Sequence, residues 1–274
     1  MKFKDQVSLG RSGLKVGRLG ISSSYGAPAE AFEMAFEAGC NYFTYGTFIK
    51  GGSREMRKAV RNIVGKGHRD QLVVSIFSYS HTYFLIESLL TRDLKKLGID
   101  YADVLILGYY NNRPRRRMMD KIYQLKERGL IRKMAISSHK RVLFTELEKE
   151  KLLDIMHIRY NAVHQGAETD VFPFLDKTDR PGIVSFTATR WGQLLNPKRM
   201  PTGKEPLKAT DAYRFVLSNP MVDVCMVGAR NAKEMVENLR VLDMGPLDQE
   251  EINNVRSIGD FLYGRKHGKF SEPK

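Results

Sequence analysis

Short runs of apolar and β-branched residues alternate along the chain with longer segments whose apolar residues recur at helical spacing. The strand candidates are RLGISSS, CNYFTY, LVVSIFSY, YADVLILGYY, IRKMAISS, IMHIRYNA, GIVSFTAT and VDVCMVG. The helical patterns around them include PAEAFEMAFEAG, GSREMRKAVRNIVG, YFLIESLLTRDLKKLG, MMDKIYQLKERG, ATDAYRFVLSNP and AKEMVENLRVLD. The helical pattern is weakest after the fifth and sixth strands. This repeated alternation of strand and helix predicts a parallel sheet.

A parallel sheet of this size is either open and doubly wound or closed into a barrel. The open form usually carries a G-x-G-x-x-G turn after its first strand, whereas here the first strand ends in GISSSYG. No Pro-, Gly- or Ser-rich linker divides the 274 residues, an ordinary length for one barrel. We therefore predict an α/β fold, a closed (β/α)8 TIM barrel that forms one domain over residues 1–274. Its working residues should lie at the carboxyl ends of the strands.

The composition is that of a soluble globular protein, with 42% hydrophobic and 28% charged residues. The sequence has no apolar run long enough to cross a bilayer, and its start, MKFKDQVSLG, lacks the apolar centre of a signal peptide. We therefore expect no membrane association and a cytoplasmic location.

The net charge of +14 raises the question of an anionic partner. Most Lys and Arg residues are interleaved with acids in helical segments, which indicates solvated helix faces, and no nucleic-acid-binding motif accompanies them, so nucleic acid is not an expected partner. The densest cluster, NNRPRRR, includes Arg113 to Arg117 and follows the fourth strand. It either holds the carboxylate or phosphate of an anionic substrate through forked hydrogen bonds, or is a solvated loop paired with nearby acids.

Other chemistries find little support in the sequence. Cys40 and Cys225 lie far apart in apolar runs, which indicates reduced core thiols. The six histidines show no metal-binding spacing, so no metal site is predicted. No P-loop and no G-x-S-x-G nucleophile turn is present.

Five segments, in order from about Val7 to Leu242, resemble the aldo-keto reductase superfamily. VSLGRSGLKVGRLGIS is similar to its N-terminal β-hairpin and first strand, and SLLTRDLKKLGIDYADVLILG to the helix and strand that end in the catalytic His. ERGLIRKMAISSH resembles the fifth strand with its Ser-Asn pair, GIVSFTATRWGQLL the Tyr-Ser-Pro-Leu turn, and CMVGARNAKEMVENL the nucleotide signature of the eighth strand. The resemblance implies an NADP(H)-dependent carbonyl reductase with a C-terminal extension over its pocket.

The usual catalytic tetrad of the superfamily is Asp, Tyr, Lys and His, in which the Tyr protonates the carbonyl oxygen as hydride arrives. The matching positions here are Thr44, Ile49, Phe77 and Gly108. These residues cannot form the usual proton relay, so the sequence predicts an atypical active site and names no catalytic residue.

Several aromatic and titratable residues near the strand ends are possible substitutes. Tyr79, Tyr109 and Tyr110 lie at or just after strand ends, whereas strand alternation should point Tyr45 away from the barrel interior. By resemblance His157 replaces a Gln that contacts the nicotinamide carboxamide. A histidine in a strand is more often a hydrogen-bonded residue of the core or of the barrel wall than a catalytic residue.

The resemblance preserves the cofactor side better than the catalytic side. Phe186 takes the place of the stacking Tyr, Arg230 would meet the 2′-phosphate, and Glu237 and Asn238 would contact the adenine. Glu234 replaces a frequent Gln. The cofactor-binding residues implied by the resemblance are Ser137, Ser138, His157, Phe186, Thr187, Ala188, Thr189, Arg190, Gly228, Arg230, Glu237 and Asn238, and the implied cofactor is NADP(H) ahead of NAD(H).

Two functions remain open from the sequence. One is an NADP(H)-dependent oxidoreductase that acts on carbonyl-type acceptors and takes its proton from a substitute group, from water or from the substrate. The other is a catalytically silent NADP(H)-binding pseudoenzyme that senses the redox state of the cofactor or supports a partner protein.

Overall fold

The computed structural model describes residues 2–23, 25–47 and 53–266. Two short antiparallel strands come first, and eight parallel strands follow and close into a barrel in sequence order, with the last pairing the first. The hairpin strands are β1 (Val7–Ser8) and β2 (Lys15–Val16). The barrel strands are β3 (Leu19–Ser22), β4 (Tyr42–Tyr45), β5 (Val73–Ser78), β6 (Ala102–Leu107), β7 (Ile131–Ser138), β8 (Ile155–Arg159), β9 (Gly182–Phe186) and β10 (Val224–Val227).

Helices surround the barrel and bury their apolar faces on the outer side of the strands. They are α1 (Ala29–Glu37), α2 (Ser53–Gly65), α3 (Tyr83–Leu97), α4 (Arg116–Glu127), α5 (Val142–Glu148), α6 (Ala167–Asp170), α7 (Ala209–Ser218), α8 (Ala232–Leu239) and α9 (Gln249–Lys266). The two shortest, α5 and α6, are the segments in which the sequence pattern is weakest. The predicted closed (β/α)8 barrel, with its N-terminal hairpin and C-terminal extension, is confirmed.

Alternation along each strand separates the barrel interior from the helix-facing layer. Tyr42, Val104 and Val184 pack inside the barrel, whereas Tyr45 packs in the outer layer between strands and helices. The prediction that Tyr45 points away from the interior is therefore confirmed. The interior becomes polar toward the carboxyl ends of the strands, where the buried Thr44 contacts Ser75.

The hairpin closes the amino-terminal end of the barrel and leaves the opposite end open. Leu9 and Val16 are fully buried in the interior core. Gly10 has a φ of +48° and forms a bridge with Pro181. A Cβ atom at Gly10 would lie 2.3 Å from the backbone nitrogen of Gly182, so this close approach requires glycine.

Both cysteines are buried and free, as predicted. No described helix is long and apolar enough to span a membrane. Within residues 2–23, 25–47 and 53–266, no cluster of His, Cys, Asp and Glu is arranged to hold a metal ion. The cytoplasmic location stays a prediction.

Candidate functional site

A cavity of about 1050 Å3 opens at the carboxyl ends of the barrel strands, and we refer to it as the main cavity. Its walls come from all eight barrel strands or the loops after them, together with α7 and α8. Most of the residues that the sequence associates with cofactor binding line it. They are Ser137, His157, Phe186, Thr187, Ala188, Thr189, Gly228, Arg230, Glu237 and Asn238.

Two of the predicted cofactor residues do not line the main cavity. Ser138 is buried, and its hydroxyl accepts a hydrogen bond from the backbone N–H of Lys140 at 2.9 Å. Arg190 is also buried and donates from Nη1 to the carbonyl oxygen of Leu262 at 3.1 Å. Its guanidinium faces a second cavity on the other side of the turn after β9.

The turn after β9 is held in place from beneath by a buried amide. Asn161 is fully buried and donates from Nδ2 to the carbonyl oxygen of Thr187 at 2.9 Å. Its Oδ1 accepts from the backbone N–H groups of Val163 and His164, at 3.0 and 2.9 Å. This network leaves the half-buried ring of Phe186 at the cavity wall, with Thr187 and Thr189 beside it.

The loop after the neighbouring strand β10 makes the adjoining wall. A Cβ atom at Gly228 would lie 2.4 Å from Cδ2 of Tyr25, so only glycine fits beneath that ring. Asn238 donates from Nδ2 to the carbonyl oxygen of Gly228 at 3.3 Å. The last turn of α8 and the loop after β10 are thereby joined at the rim of the cavity.

Arg230, for which the family resemblance implies a contact with the 2′-phosphate, is already paired with Glu234. Glu234 accepts from the backbone N–H of Arg230 at 2.8 Å and from its Nε at 2.7 Å. Asn231 caps α8 and accepts from the N–H of Glu234 at 2.9 Å, which fixes the carboxylate at the helix start. An incoming phosphate would therefore compete with this carboxylate for Arg230.

His157 lies at the floor of the main cavity and forms a hydrogen bond of 2.8 Å between its Nε2 and the hydroxyl of Tyr42. Burial lowers the pKa of His157 to about 3. Burial also raises the pKa of Tyr42. At neutral pH the pair is therefore uncharged and does not exchange protons readily, which is the behaviour of a wall residue.

The positions of the usual tetrad are filled by packing interactions. Thr44 Oγ1 lies 2.8 Å from Ser75 Oγ. Phe77 stacks on Tyr79 with ring centroids 5.3 Å apart and an interplanar angle of 5°. A Cβ atom at Gly108 would lie 2.7 Å from Cδ1 and Cε1 of Tyr79, so the Tyr79 ring takes the space that a side chain at position 108 would need. Ile49 lies outside the described residues.

The rim of the main cavity is aromatic. Tyr79 and Tyr109 are exposed there, whereas Tyr110 is buried and stacks on His81 at 4.2 Å between centroids. Burial raises the pKa of Tyr110 to about 12, which makes it a poor proton donor at neutral pH. Sequence reasoning singled out these tyrosines but missed several further lining residues, among them Tyr25, His139 and Trp191.

Left-handed backbone conformations cluster at the site. The non-glycine residues Tyr25, Tyr109, Arg190 and Trp191 have φ values of 78°, 60°, 48° and 59°. All four line the main cavity or the second cavity. Such conformations are costly for residues with a side chain and concentrate at ligand-binding sites.

The basic run after the fourth barrel strand does not join either cavity. Arg113 donates from Nη2 to Glu150 Oε2 at 2.6 Å, and both side chains are about half exposed. Arg117 lies over the ring of Tyr83 at 5.9 Å. These contacts match the solvated-loop interpretation of this run.

Comparison with known proteins agrees with this architecture. The aldo/keto reductase family model matches residues 9–211 and 208–260. The chain is similar to the solved structures of aldo-keto reductase AKR11C1 from Bacillus halodurans. The holo form has a TM-score of 0.76 at 19% identity and the apo form 0.75 at 20%, and each match covers 93% of this chain and 96% of the other. No curated protein sequence matches significantly. The extent of the family match shows that the chain belongs to the aldo/keto reductase family.

Proposed function

We propose that this protein is an NADP(H)-dependent oxidoreductase that acts on carbonyl-type acceptors without the usual tetrad. The observation that carries the proposal is the shared cavity: the flat ring of Phe186, the hydroxyls of Ser137 and Thr187, and the guanidinium of Arg230 line one space. Family membership supports the same reaction class.

The residues present suit a nicotinamide dinucleotide. Phe186 offers a face for the nicotinamide, and Ser137 offers a hydroxyl for its carboxamide. The turn at Thr187 to Thr189 and the loop at Gly228 would hold the phosphates through backbone and hydroxyl donors. The cavity of about 1050 Å3 lies at the upper limit of the usual size of small-molecule and cofactor sites. A bound NADPH supplies a hydride from its nicotinamide ring.

The proton must come from outside the tetrad positions. Neither Thr44 nor Phe77 has a group that can donate a proton at neutral pH, and Gly108 has no side chain at all. His157 is uncharged at neutral pH because burial lowers its pKa. We therefore propose that water or the substrate provides the proton. Acceptors whose reduced anion is delocalised, such as quinones and α-dicarbonyl compounds, need the least help from an enzyme acid.

The structure also supports a second candidate, a silent NADP(H)-binding protein that acts as a redox sensor or as a partner of another protein. The Tyr79 ring packs on Phe77 and blocks any side chain at Gly108. Such packing is the arrangement expected when the chemistry is lost and the nucleotide pocket is kept. We place this candidate second because aromatic and hydroxyl groups still surround an open cavity.

One experiment distinguishes the two candidates. Purified protein is incubated with NADPH deuterated at C4 and with a panel of aldehydes, α-dicarbonyl compounds and quinones, and the products are analysed by mass spectrometry. The oxidoreductase proposal predicts deuterium in at least one product, formed over many turnovers, and a strong loss of that product in Phe186→Ala. NADPH binding without deuterium transfer would refute the proposal and leave the silent binding protein.

A further inference from the structure

A second cavity of about 520 Å3 lies behind the turn that follows β9. We call it the arginine cavity, because three of its lining residues are Arg159, Arg190 and Arg199. It shares His139, Phe186, Thr187 and Trp191 with the main cavity, so the two spaces adjoin across the same turn.

The three guanidinium groups come from different parts of the chain. Arg159 ends β8 and lies two residues after the inward-facing His157, so the same alternation directs it toward the barrel mouth. Arg190 is buried in the turn after β9, where its contact with the carbonyl oxygen of Leu262 fixes it against α9. Arg199 ends a short 3-10 turn, Pro197–Arg199.

The arginine cavity carries positive charge that no described carboxylate pairs with. Across residues 2–23, 25–47 and 53–266, no carboxylate forms an ion pair with Arg159, Arg190 or Arg199. Burial lowers the pKa of Arg190, and the positive charges of Arg199 and Arg159 lower it further. Burial likewise lowers the pKa of Arg159, with Arg141 adding to the effect.

Arginines with a structural role in this chain are treated differently. Arg180 forms two hydrogen bonds of 2.7 Å with the carboxylate of Asp223. Arg256 forms hydrogen bonds of 2.7 and 2.8 Å with the two oxygens of Glu168. Arg159, Arg190 and Arg199 have no such bidentate carboxylate partner among the described residues.

We infer that the arginine cavity binds the carboxylate or phosphate group of a small organic anion, held by Arg159, Arg190 and Arg199. Guanidinium groups match both anions through forked hydrogen bonds, and the adjoining Gln193 adds a polar contact. The inference rests on the proposed function only in one respect: if the main cavity performs hydride transfer, this anion is part of the substrate.

The single tryptophan of the chain makes the site directly observable. Trp191 lines the arginine cavity, so an anion bound there should change its fluorescence. The protein is titrated with inorganic phosphate and, separately, with malonate, at constant ionic strength and without nucleotide. The melting temperature is followed in parallel, since a ligand of the folded state raises it. Saturable changes are expected, and the tighter probe identifies the anion as phosphate or carboxylate.

Variants show whether the arginines carry the effect. Arg159→Gln and Arg199→Gln should each weaken anion binding about tenfold, the loss expected for one charge-assisted hydrogen-bonding group. Lys198→Gln is the matched control, because it removes the same charge from an exposed neighbour of Arg199 that does not line the arginine cavity. It should leave binding unchanged. Circular dichroism verifies that each variant is folded.

Two results would overturn the inference: no saturable change in either fluorescence or melting temperature, or equal weakening by Lys198→Gln and the arginine variants. The first would mean that no anion binds, and the second that binding reflects general surface charge. Because NADPH is absent from these titrations, failure of the proposed reductase function would leave the result intact. Anion binding and NADPH binding are thus tested separately.

Discussion

Replacing Glu234 by Gln should increase the affinity for NADPH and leave that for NADH nearly unchanged. Arg230 is largely exposed and is held by the Glu234 carboxylate through a backbone contact of 2.8 Å and an Nε contact of 2.7 Å. A 2′-phosphate that reaches Arg230 must break this pair and also approaches a negative charge. Glutamine keeps the size and the capacity to accept from the Arg230 N–H, and it removes the charge.

The expected size of the effect follows from two contributions. A phosphate about 6 Å from the carboxylate at a surface dielectric near that of water is repelled by about 0.7 kcal/mol per unit charge. Releasing an exposed ion pair adds about 0.2 to 1 kcal/mol. Together they give about 1 to 2 kcal/mol, which is about tenfold in the dissociation constant.

The assay is equilibrium titration with NADPH and with NADH, monitored by nucleotide fluorescence, in the original protein and in Glu234→Gln. The quantity of interest is the ratio of the two dissociation constants, since it cancels changes common to both nucleotides. Glu30→Gln is the control, because Glu30 is an exposed carboxylate paired with Lys58 at 3.4 Å and lines neither cavity. Equal affinities for NADPH before and after Glu234→Gln would refute the competition between Glu234 and the 2′-phosphate.

Three further predictions concern the floor and wall of the main cavity. Gly108→Ala should lower the free energy of unfolding by about 1 to 3 kcal/mol because its methyl group meets the Tyr79 ring, and urea unfolding should show that the loss shrinks when Tyr79→Ala is added. Burial lowers the pKa of His157 to about 3, so the unfolded chain takes up a proton below about pH 6.5 while the folded chain does not. The contribution of uncharged His157 to the free energy of unfolding is fully present above that pH and falls by about 1.4 kcal/mol per pH unit toward pH 3. Urea unfolding should therefore show that His157→Gln loses about 2 kcal/mol less than the original protein between about pH 7 and about pH 5. Phe186→Ala should weaken NADPH binding by about 1 to 3 kcal/mol in fluorescence titration, by analogy with base stacking on aromatic rings, whereas Phe186→Tyr should bind as well as the original protein.

The sequence was sufficient to predict the barrel because apolar residues are spaced differently in its strands and in its helices. The inward and outward sets along CNYFTY and IMHIRYNA follow strict alternation, and helical spacing between them fixes the order of elements. The prediction was weakest where elements are short, at α5 (Val142–Glu148) and α6 (Ala167–Asp170), since seven and four residues cannot display a clear helical period.

The site was predicted only in part, because pairing in space cannot be read from spacing. The sequence showed a Glu at position 234 but could not show that it holds Arg230. It showed a glycine at position 108 but could not show that the Tyr79 ring occupies the space of a side chain there. Arg190 belongs to the predicted phosphate turn, yet its left-handed backbone turns the side chain into the other cavity.

The density of positive charge along the sequence did not point to the arginine cavity. The densest basic run, at Arg113 to Arg117, was the sequence candidate for an anion, and Arg113 pairs with Glu150 at the surface. The three arginines without a carboxylate partner among the described residues are 31 and 9 positions apart in the chain, as their numbers 159, 190 and 199 show. Only closure of the barrel brings them to one cavity.

The most direct test of the central proposal is the binding of NADPH to the main cavity. The purified protein is titrated into NADPH while the blue fluorescence of the nucleotide and energy transfer from Trp191 are recorded, and the titration is repeated with Phe186→Ala. The proposal predicts saturable binding with one nucleotide per chain, energy transfer from Trp191, and clear weakening in the variant. Absence of saturable binding, or binding that Phe186→Ala leaves unchanged, would contradict it.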